Sequence, residues 1–253
     1  MAPGGRHVCA LAHSFLHMSH DRSTLALASV ALLEGLDTSR LEELVARCTW
    51  RSVDAGQSLL HRDEHNSDVF FVVAGRLRVT VYSAAGKQVT FRDLTQGGHF
   101  GEIAAIDGQP RSADVQTLAP SVVASLDRAA FLALLQAEPL VVGRIMRGLS
   151  ALVRQLSERV MDLSTLGVQN RLHAELLRMA RAAGVQENRA RLEPAPPHGA
   201  LASQISTNRE QVTRELNALR REGLLGKDAG ALEILDVARL ERMVALVRGE
   251  RAR

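Results

Sequence analysis

From residue 49 onward, apolar positions recur in short runs separated by turn-forming clusters. Within the clearest run the period is two: Leu77, Val79 and Val81 alternate with Arg78, Thr80 and Tyr82, the mark of a strand with one buried face. Further β-type runs lie at Thr49–Val53, Ser58–His61, Val69–Ala74, Gln88–Leu94 and Val115–Leu126. The breaks between them are Asp54-Ala55-Gly56, Asn66-Ser67-Asp68, Gly75-Arg76 and Ala84-Ala85-Gly86-Lys87, all rich in turn formers. Such spacing predicts an antiparallel sandwich or barrel. Gly97-Gly98-His99-Phe100 reads as a sharp turn without regular structure, and Ile103-Ala104-Ala105-Ile106 as one short helical turn.

On both sides of the β region the period is helical. Ala26 to Cys48 reads as helix, with Asp37 or Thr38 capping a segment that carries Leu41, Leu44 and Val45 on one face. Asp127 caps a helix over Arg128–Ala137, which Pro139 ends. A much longer helix follows, over Leu140 to Leu166. Ile145, Leu149, Leu152, Leu156, Leu163 and Leu166 fall on one heptad seam, with Arg159 as the single polar interruption. That predicts a coiled coil, whose simplest partner is the same helix of a second subunit. Gly167 breaks the seam at the expected hinge.

Beyond it, Val168–Ala183 reads as a helix, and Gly184 to Gly199, with Pro194, Pro196 and Pro197, as a connector. Ala200–Ile205, a turn at Ser206 and a helix from Asn208 to Glu222 form two short helices about a tight turn, a helix-turn-helix. Thr207 as N-cap and Glu210 three residues later are expected to form a capping box. Gly223-Leu224-Leu225 ends that unit, Leu232–Leu235 reads as a wing strand, and Val237–Arg248 as a closing helix.

The chemistry concentrates in Phe100 to Val115. A buried arginine suits a phosphate because its planar fork donates two parallel charge-assisted hydrogen bonds, and a glutamate accepts from a sugar hydroxyl. Gly101-Glu102, nine residues to Arg111, then Ser112-Ala113 resembles the phosphate-binding cassette of cyclic-nucleotide-binding domains. By position, the resemblance implies that Glu102 holds the ribose 2′-hydroxyl and Arg111 the cyclic phosphate. Ser112 and Ala113 add a hydroxyl and backbone N–H groups, and Gly101 and Ile103 complete the cassette. It also implies that the β region is a β-roll of jelly-roll type with the cassette inserted late in it.

A second resemblance lies in Leu201-Ala202, Ile205, Thr207-Asn208-Arg209-Glu210, Val212-Thr213-Arg214 and Leu219–Leu224. These residues are similar to the winged helix-turn-helix of bacterial regulators related to the cyclic-AMP receptor protein and its fumarate-nitrate relative (CRP/FNR). The resemblance implies that Arg209, Glu210 and Arg214 read bases. The chemistry agrees, since Arg pairs with guanine O6 and N7 and Glu accepts from cytosine N4. Ser206, Thr207, Asn208 and Thr213 suit phosphates and the turn that presents them. In the cyclic-AMP regulators two adjacent polar residues of the long helix reach the base. Here Leu156 and Ser157 stand there, and leucine makes no hydrogen bond, which leaves cyclic AMP and cyclic GMP both open.

Composition narrows the picture further. At 253 residues with 46% hydrophobic content, the chain holds one large domain or two ordinary ones. Residues 168–253 carry 15 Lys and Arg against 11 Asp and Glu, while the preceding part is nearly balanced, as a nucleic-acid-facing C-terminal module requires. Two cysteines, Cys9 and Cys48, are too few for the iron–sulfur cluster of the redox relatives, and Cys48 sits in an apolar pattern that predicts a buried thiol. His7, His13, His17 and His20 lack a ligand spacing on a definite helix, so no metal is expected. With no apolar run of membrane length, a cytoplasmic location is expected.

The expected class is α+β: a flexible extension to residue 24, a β-roll over 25–138, a dimerisation helix over 139–167 and a winged helix-turn-helix over 168–253. The expected activity is that of a homodimeric transcription regulator, not an enzyme, with cyclic AMP or cyclic GMP as effector, palindromic double-stranded DNA as target, RNA polymerase as a further partner and no membrane. Two alternatives stay open: a regulator of the same fold that needs no nucleotide, and a cyclic-nucleotide-binding subunit of an enzyme. No Walker motif, kinase lysine–aspartate set or Ser-His-Asp arrangement supports the latter.

Overall fold

The computed structural model describes residues 20–83, 88–228 and 230–249. The expectations for the N-terminal histidines and Cys9, and for the turn at Ala84–Lys87, lie wholly or largely outside them. The chain divides into two compact units, residues 1–150 and 151–253.

The first unit opens with α1 (His20–Ala28) and α2 (Thr38–Arg47). The single helix expected from Ala26 to Cys48 is therefore two, separated by tight turns over residues 29–35, where Gly35 takes a positive φ of 75°. α1 also begins inside the stretch expected to be a flexible extension, with Ser23 and Thr24 buried. Then follow β1 (Thr49–Val53), β2 (Ser58–Leu60), β3 (Val69–Ala74), β4 (Arg76–Tyr82), β5 (Gln88–Thr95), β6 (His99–Phe100), α3 (Glu102–Asp107), β7 (Asp114–Thr117), β8 (Ser121–Leu126) and α4 (Arg128–Ala137). His99 and Phe100 pair antiparallel with Phe71 and Phe70, so the stretch expected to be irregular contributes a short edge strand. The single run expected over Val115–Leu126 is broken by the turn that Pro120 imposes.

The strands form two four-stranded antiparallel sheets, ordered β1-β8-β3-β6 and β2-β7-β4-β5. Between them lies a core of Leu59, Leu60, Phe70, Val72, Leu77, Leu94, Phe100, Val115 and Val123. The other face of the first sheet, with Val69, Phe71, Val73, Ala124 and Leu126, packs against helices through Leu27, Leu41, Leu44, Phe131, Leu134 and Ile145. Covered on both faces, β3 and β8 are continuous buried runs, whereas the alternation expected along β4 is broken by a register shift between Val79 and Thr80, so that Leu77 and Thr80 are buried and Val79 and Val81 half-buried. Cys48 packs at the edge of this core, and burial pushes its thiol up to about 12. Asp127 caps α4, its carboxylate accepting from the Ala130 N–H at 2.9 Å.

The long helix α5 spans Pro139–Thr165. Its apolar positions divide differently from the expected seam. Val141 and Ile145 are buried in the core of the first unit, Leu166 just beyond the helix is buried, and the Arg159 guanidinium bonds the Gln204 carbonyl. Besides Leu140 and Met161, the exposed apolar positions are Val142, Met146, Val153, Leu156, Val160 and Leu163, which with half-buried Leu149 recur at spacings of four and three. Leu149, Leu156 and Leu163 are common to this stripe and the expected seam, although Leu149 also packs against the core of the first unit. Ile145 and Leu166, both buried, and half-buried Leu152 are not.

The second unit adds α6 (Val168–Ala183), β9 (Ala190–Leu192), α7 (His198–Gln204), α8 (Arg209–Arg221), β10 (Leu225–Asp228), β11 (Ala231–Ile234) and α9 (Val237–Arg248). The expected connector over 184–199 contains β9, and the wing is a three-stranded sheet ordered β10-β11-β9. Its core includes Leu172, Leu176, Leu201, Val212, Leu216, Leu219, Ile234 and Leu240. His173 is buried in this unit, its Nε2 without a hydrogen-bond partner among the described residues. No single described helix is long and apolar enough to cross a membrane.

Candidate nucleotide pocket and nucleic-acid interface

The cassette is built around a glycine. Gly101 follows β6 at φ +90°, and a Cβ there would lie 2.6 Å from the Asp68 carbonyl oxygen and 2.7 Å from Arg111 Nη1. Only glycine allows the chain to turn so close to the arginine. Glu102 starts α3 and is 5% exposed, and Ile103 is half-buried. Arg111 is 3% exposed. Its Nη1 donates to the Gly101 carbonyl at 2.9 Å, its Nη2 to the Asp68 carbonyl at 2.7 Å, and its Nε to Asn66 Oδ1 at 3.1 Å, with Nη2 on the same amide oxygen. The guanidinium carbon also lies 5.9 Å from the centre of the Phe70 ring, which itself stacks on Phe100 at 4.9 Å. Burial pushes the arginine below its ordinary value, opposed by Asp68, Glu64 and Glu102. A cation so placed favours an anion.

Ser112 is exposed beside it and Ala113 is buried. Glu102 faces Arg92 of β5, whose Nη2 lies 3.5 Å from Oε1. Thus Gly101, Glu102, Arg111, Ser112 and Ala113 sit about one cassette, as expected. Leu156 and Ser157 belong to the second unit, where Leu156 is exposed and the Ser157 hydroxyl donates to the Val153 carbonyl at 3.0 Å. Sequence reasoning missed Asn66 and Arg92. Nothing local marks Asn66, since its partner lies 45 positions away. Arg92 carried a signal, because strand alternation places it on the same face as Leu94.

In the second unit the recognition helix begins one residue later than expected. Asn208, not Thr207, is the N-cap, its Oδ1 accepting from the Gln211 N–H at 2.9 Å. Thr207 instead donates its hydroxyl to Gln211 Oε1 at 2.8 Å, and no capping box forms with Glu210. Asn is as good a cap as Thr and puts the extended residue where the turn needs it. Ser206, in the turn, takes a φ of +56°. Arg209, Glu210, Thr213, Arg214 and Asn217 line one open concavity of about 440 Å³ on the outer face of α8, and Arg209, Glu210 and Arg214 are exposed. Thr213 donates to the Arg209 carbonyl at 2.9 Å and meets His198 Nδ1 at 2.7 Å. His198, also unforeseen, therefore braces the first turn of that helix from α7. Partial burial, with Arg220 and Arg209 nearby, holds its imidazole below the ordinary value.

A family model described as a cyclic nucleotide-binding domain matches residues 50–138, and one described as a Crp-like helix-turn-helix domain matches residues 170–243. A cyclic AMP receptor protein from Thermus thermophilus is 26% identical over 215 residues, covering 84% of this chain and 95% of that protein. The cAMP-activated global transcriptional regulator CRP of Salmonella typhimurium is 25% identical over 186 residues, 73% of this chain and 89% of its own. The chain belongs to the CRP/FNR family. It is a transcription regulator, not an enzyme, with an N-terminal cyclic-nucleotide-binding domain and a DNA-binding helix-turn-helix. A solved structure of the same fold, that of the c-di-GMP responsive global regulator CLP of Xanthomonas campestris, matches with a TM-score of 0.66 at 17% identity, over 78% of this chain and 99% of that one.

Proposed function

We propose that this regulator is switched by a cyclic purine nucleotide, cyclic AMP or cyclic GMP, and binds palindromic operators as a homodimer. The observation that carries the nucleotide reading is Arg111, a buried guanidinium held on Phe70 in a cassette that also buries Glu102. The donor set fits the ligand. Arg111, the Ser112 hydroxyl and the N–H groups of Ser112 and Ala113 take the phosphate, Glu102 the ribose 2′-hydroxyl, and Gly101 and Ile103 shape the turn. Because Arg111 already serves Asn66 and two carbonyls, the phosphate must displace the Asn66 amide to engage the Nε–Nη2 edge in a bidentate pair. The same fact favours a second reading, a regulator of this fold whose cassette arginine is purely structural. Calorimetry with cyclic AMP and cyclic GMP on the full chain separates the two: micromolar binding supports the first, and no heat with either supports the second.

Homodimerisation is supported by the outward seam of α5, which runs from Val142 to Leu163 with heptad spacing and whose best complement is a second copy of itself. Leu156 lies on that seam and Ser157 beside it. A two-fold dimer sets half-sites about 34 Å apart, one DNA turn. Arg209, Glu210 and Arg214 then read base edges, while Ser206, Thr207, Asn208 and Thr213 shape and anchor the approach to the backbone. RNA polymerase is the expected partner at the promoter. Operator binding measured with and without nucleotide tests the switch, since an effector must bind the DNA-competent state more tightly.

A further inference from the structure

Inside the roll, one charged side chain stands on a face otherwise reserved for the core. In the β4–β5 ladder Leu77 pairs with Leu94 and Val79 with Arg92, and the intervening pair is Arg78 with Asp93. Leu77 and Leu94 belong to the core between the sheets and Val79 packs against it, so alternation puts Arg92 on the inward face. Arg78 and Asp93 take the opposite face, where Arg78 Nε lies 2.7 Å from the carboxylate. The Arg92 side chain nonetheless keeps 35% of its exposure, while its Glu102 partner keeps 6%. An inward arginine that stays partly exposed reaches solvent rather than filling the core.

The geometry points to Arg92 as the residue that reads the base, giving the pocket a preference for a guanine-bearing cyclic nucleotide. This rests on the nucleotide reading above, in which Glu102 takes the ribose 2′-hydroxyl. With Arg92 Nη2 3.5 Å from that carboxylate, a ribose held there by its 2′-hydroxyl would bring C2′, the neighbour of the carbon that bears the base, close to the guanidinium. Arginine has donors and no acceptor. Guanine turns two acceptors, O6 and N7, toward such a fork, whereas adenine offers N7 beside an N6 amino group that is itself a donor. Arg92 beside Glu102 therefore has the donor fork suited to telling the two purines apart.

The test is calorimetric titration of cyclic GMP and cyclic AMP into the full chain and into Arg92→Met and Arg92→Lys. The inference expects wild type to favour cyclic GMP by roughly ten-fold or more. Both variants should bring the ratio close to one, chiefly by losing cyclic GMP affinity. Arg92→Lys keeps the charge opposite Glu102 and loses the planar fork, so a role confined to neutralising Glu102 would leave the ratio in Arg92→Lys unchanged and overturn the inference. Equal affinities in wild type, or a preference for cyclic AMP, would also overturn it while leaving the nucleotide reading intact. Absence of binding by either nucleotide to wild type would overturn both.

Discussion

In the first unit Arg111 lies 3% exposed with its donors turned onto Asn66, Gly101 and Asp68, whereas in the second unit Arg209 and Arg214 stand in solvent on the face of α8. The same side chain is used in two regimes. A buried, internally bonded guanidinium is already placed, and an incoming phosphate gains only what exceeds the bonds it replaces. Its contribution is selective and weakly screened. The exposed pair costs little to hold in water and, in its proposed role, would attract DNA over a Debye length and so depend strongly on salt. On the proposed function, one arginine would recognise by displacement within the fold and the others by docking from outside it.

Removing the buried arginine should have the largest effect. Arg111→Leu strands the Asn66 amide oxygen and two carbonyls, so the first unit should lose about 3–5 kcal/mol in denaturant unfolding, and cyclic-nucleotide binding with it. A folded, nucleotide-binding Arg111→Leu protein would erase the contrast drawn above. The long helix lies between the two regimes, its apolar stripe exposed in one chain and, in the proposed dimer, buried on pairing. Val153→Glu should weaken the dimer by about 2–3 kcal/mol in sedimentation equilibrium, because each carboxylate meets its own copy. Leu152→Glu, off the outward seam, should leave dimerisation nearly intact, and the reverse result would restore the seam read from sequence.

On the exposed side, Arg214→Ala should cost about 1–3 kcal/mol on the cognate operator and relax preference at one base pair per half-site. A uniform loss over an operator library, with a shallower salt slope, would make Arg214 a phosphate anchor instead. The smallest effect concerns His173, the buried exception within the second unit. Burial holds its imidazole below the ordinary value against the pull of Glu222, so the folded state takes up its proton less readily than the unfolded chain. Its contribution to stability is complete above roughly pH 6.5 and is lost as pH falls through the folded value. The unfolding midpoint of the second unit should therefore drop modestly below that pH, and His173→Leu should flatten the dependence.

The strands and helices that bury one face or one stripe were legible, because period and burial coincide there. Arg128–Ala137, Val168–Ala183 and Val237–Arg248 match to the residue, as does Val69–Ala74, a continuous apolar run buried on both faces. The misreadings occur where a residue answers to something other than its neighbours. β6 is two residues long and exists because Phe70 and Phe71 lie beside it, and β9 is too short to carry a period. The exposed apolar stripe of α5 departs from the expected seam at buried Ile145 and Leu166, because a leucine count along one helix does not say which side chains its own fold already covers. Of the cassette, Glu102, Arg111 and Ser112 followed from spacing. Asn66 and Arg92 reach it through tertiary contacts that a motif does not encode.

In the proposed homodimer, an outward stripe closed by a second copy would tie the working form to gene dosage. When chains are scarce, the amount of paired regulator rises as the square of chain concentration, and it becomes linear only once most chains are paired. A two-fold fall in expression near that threshold then removes up to about three-quarters of the active form, as mass action requires. On that proposal, the spacing from Val142 to Leu163 would set the range of cellular abundance over which the regulator answers its effector at all.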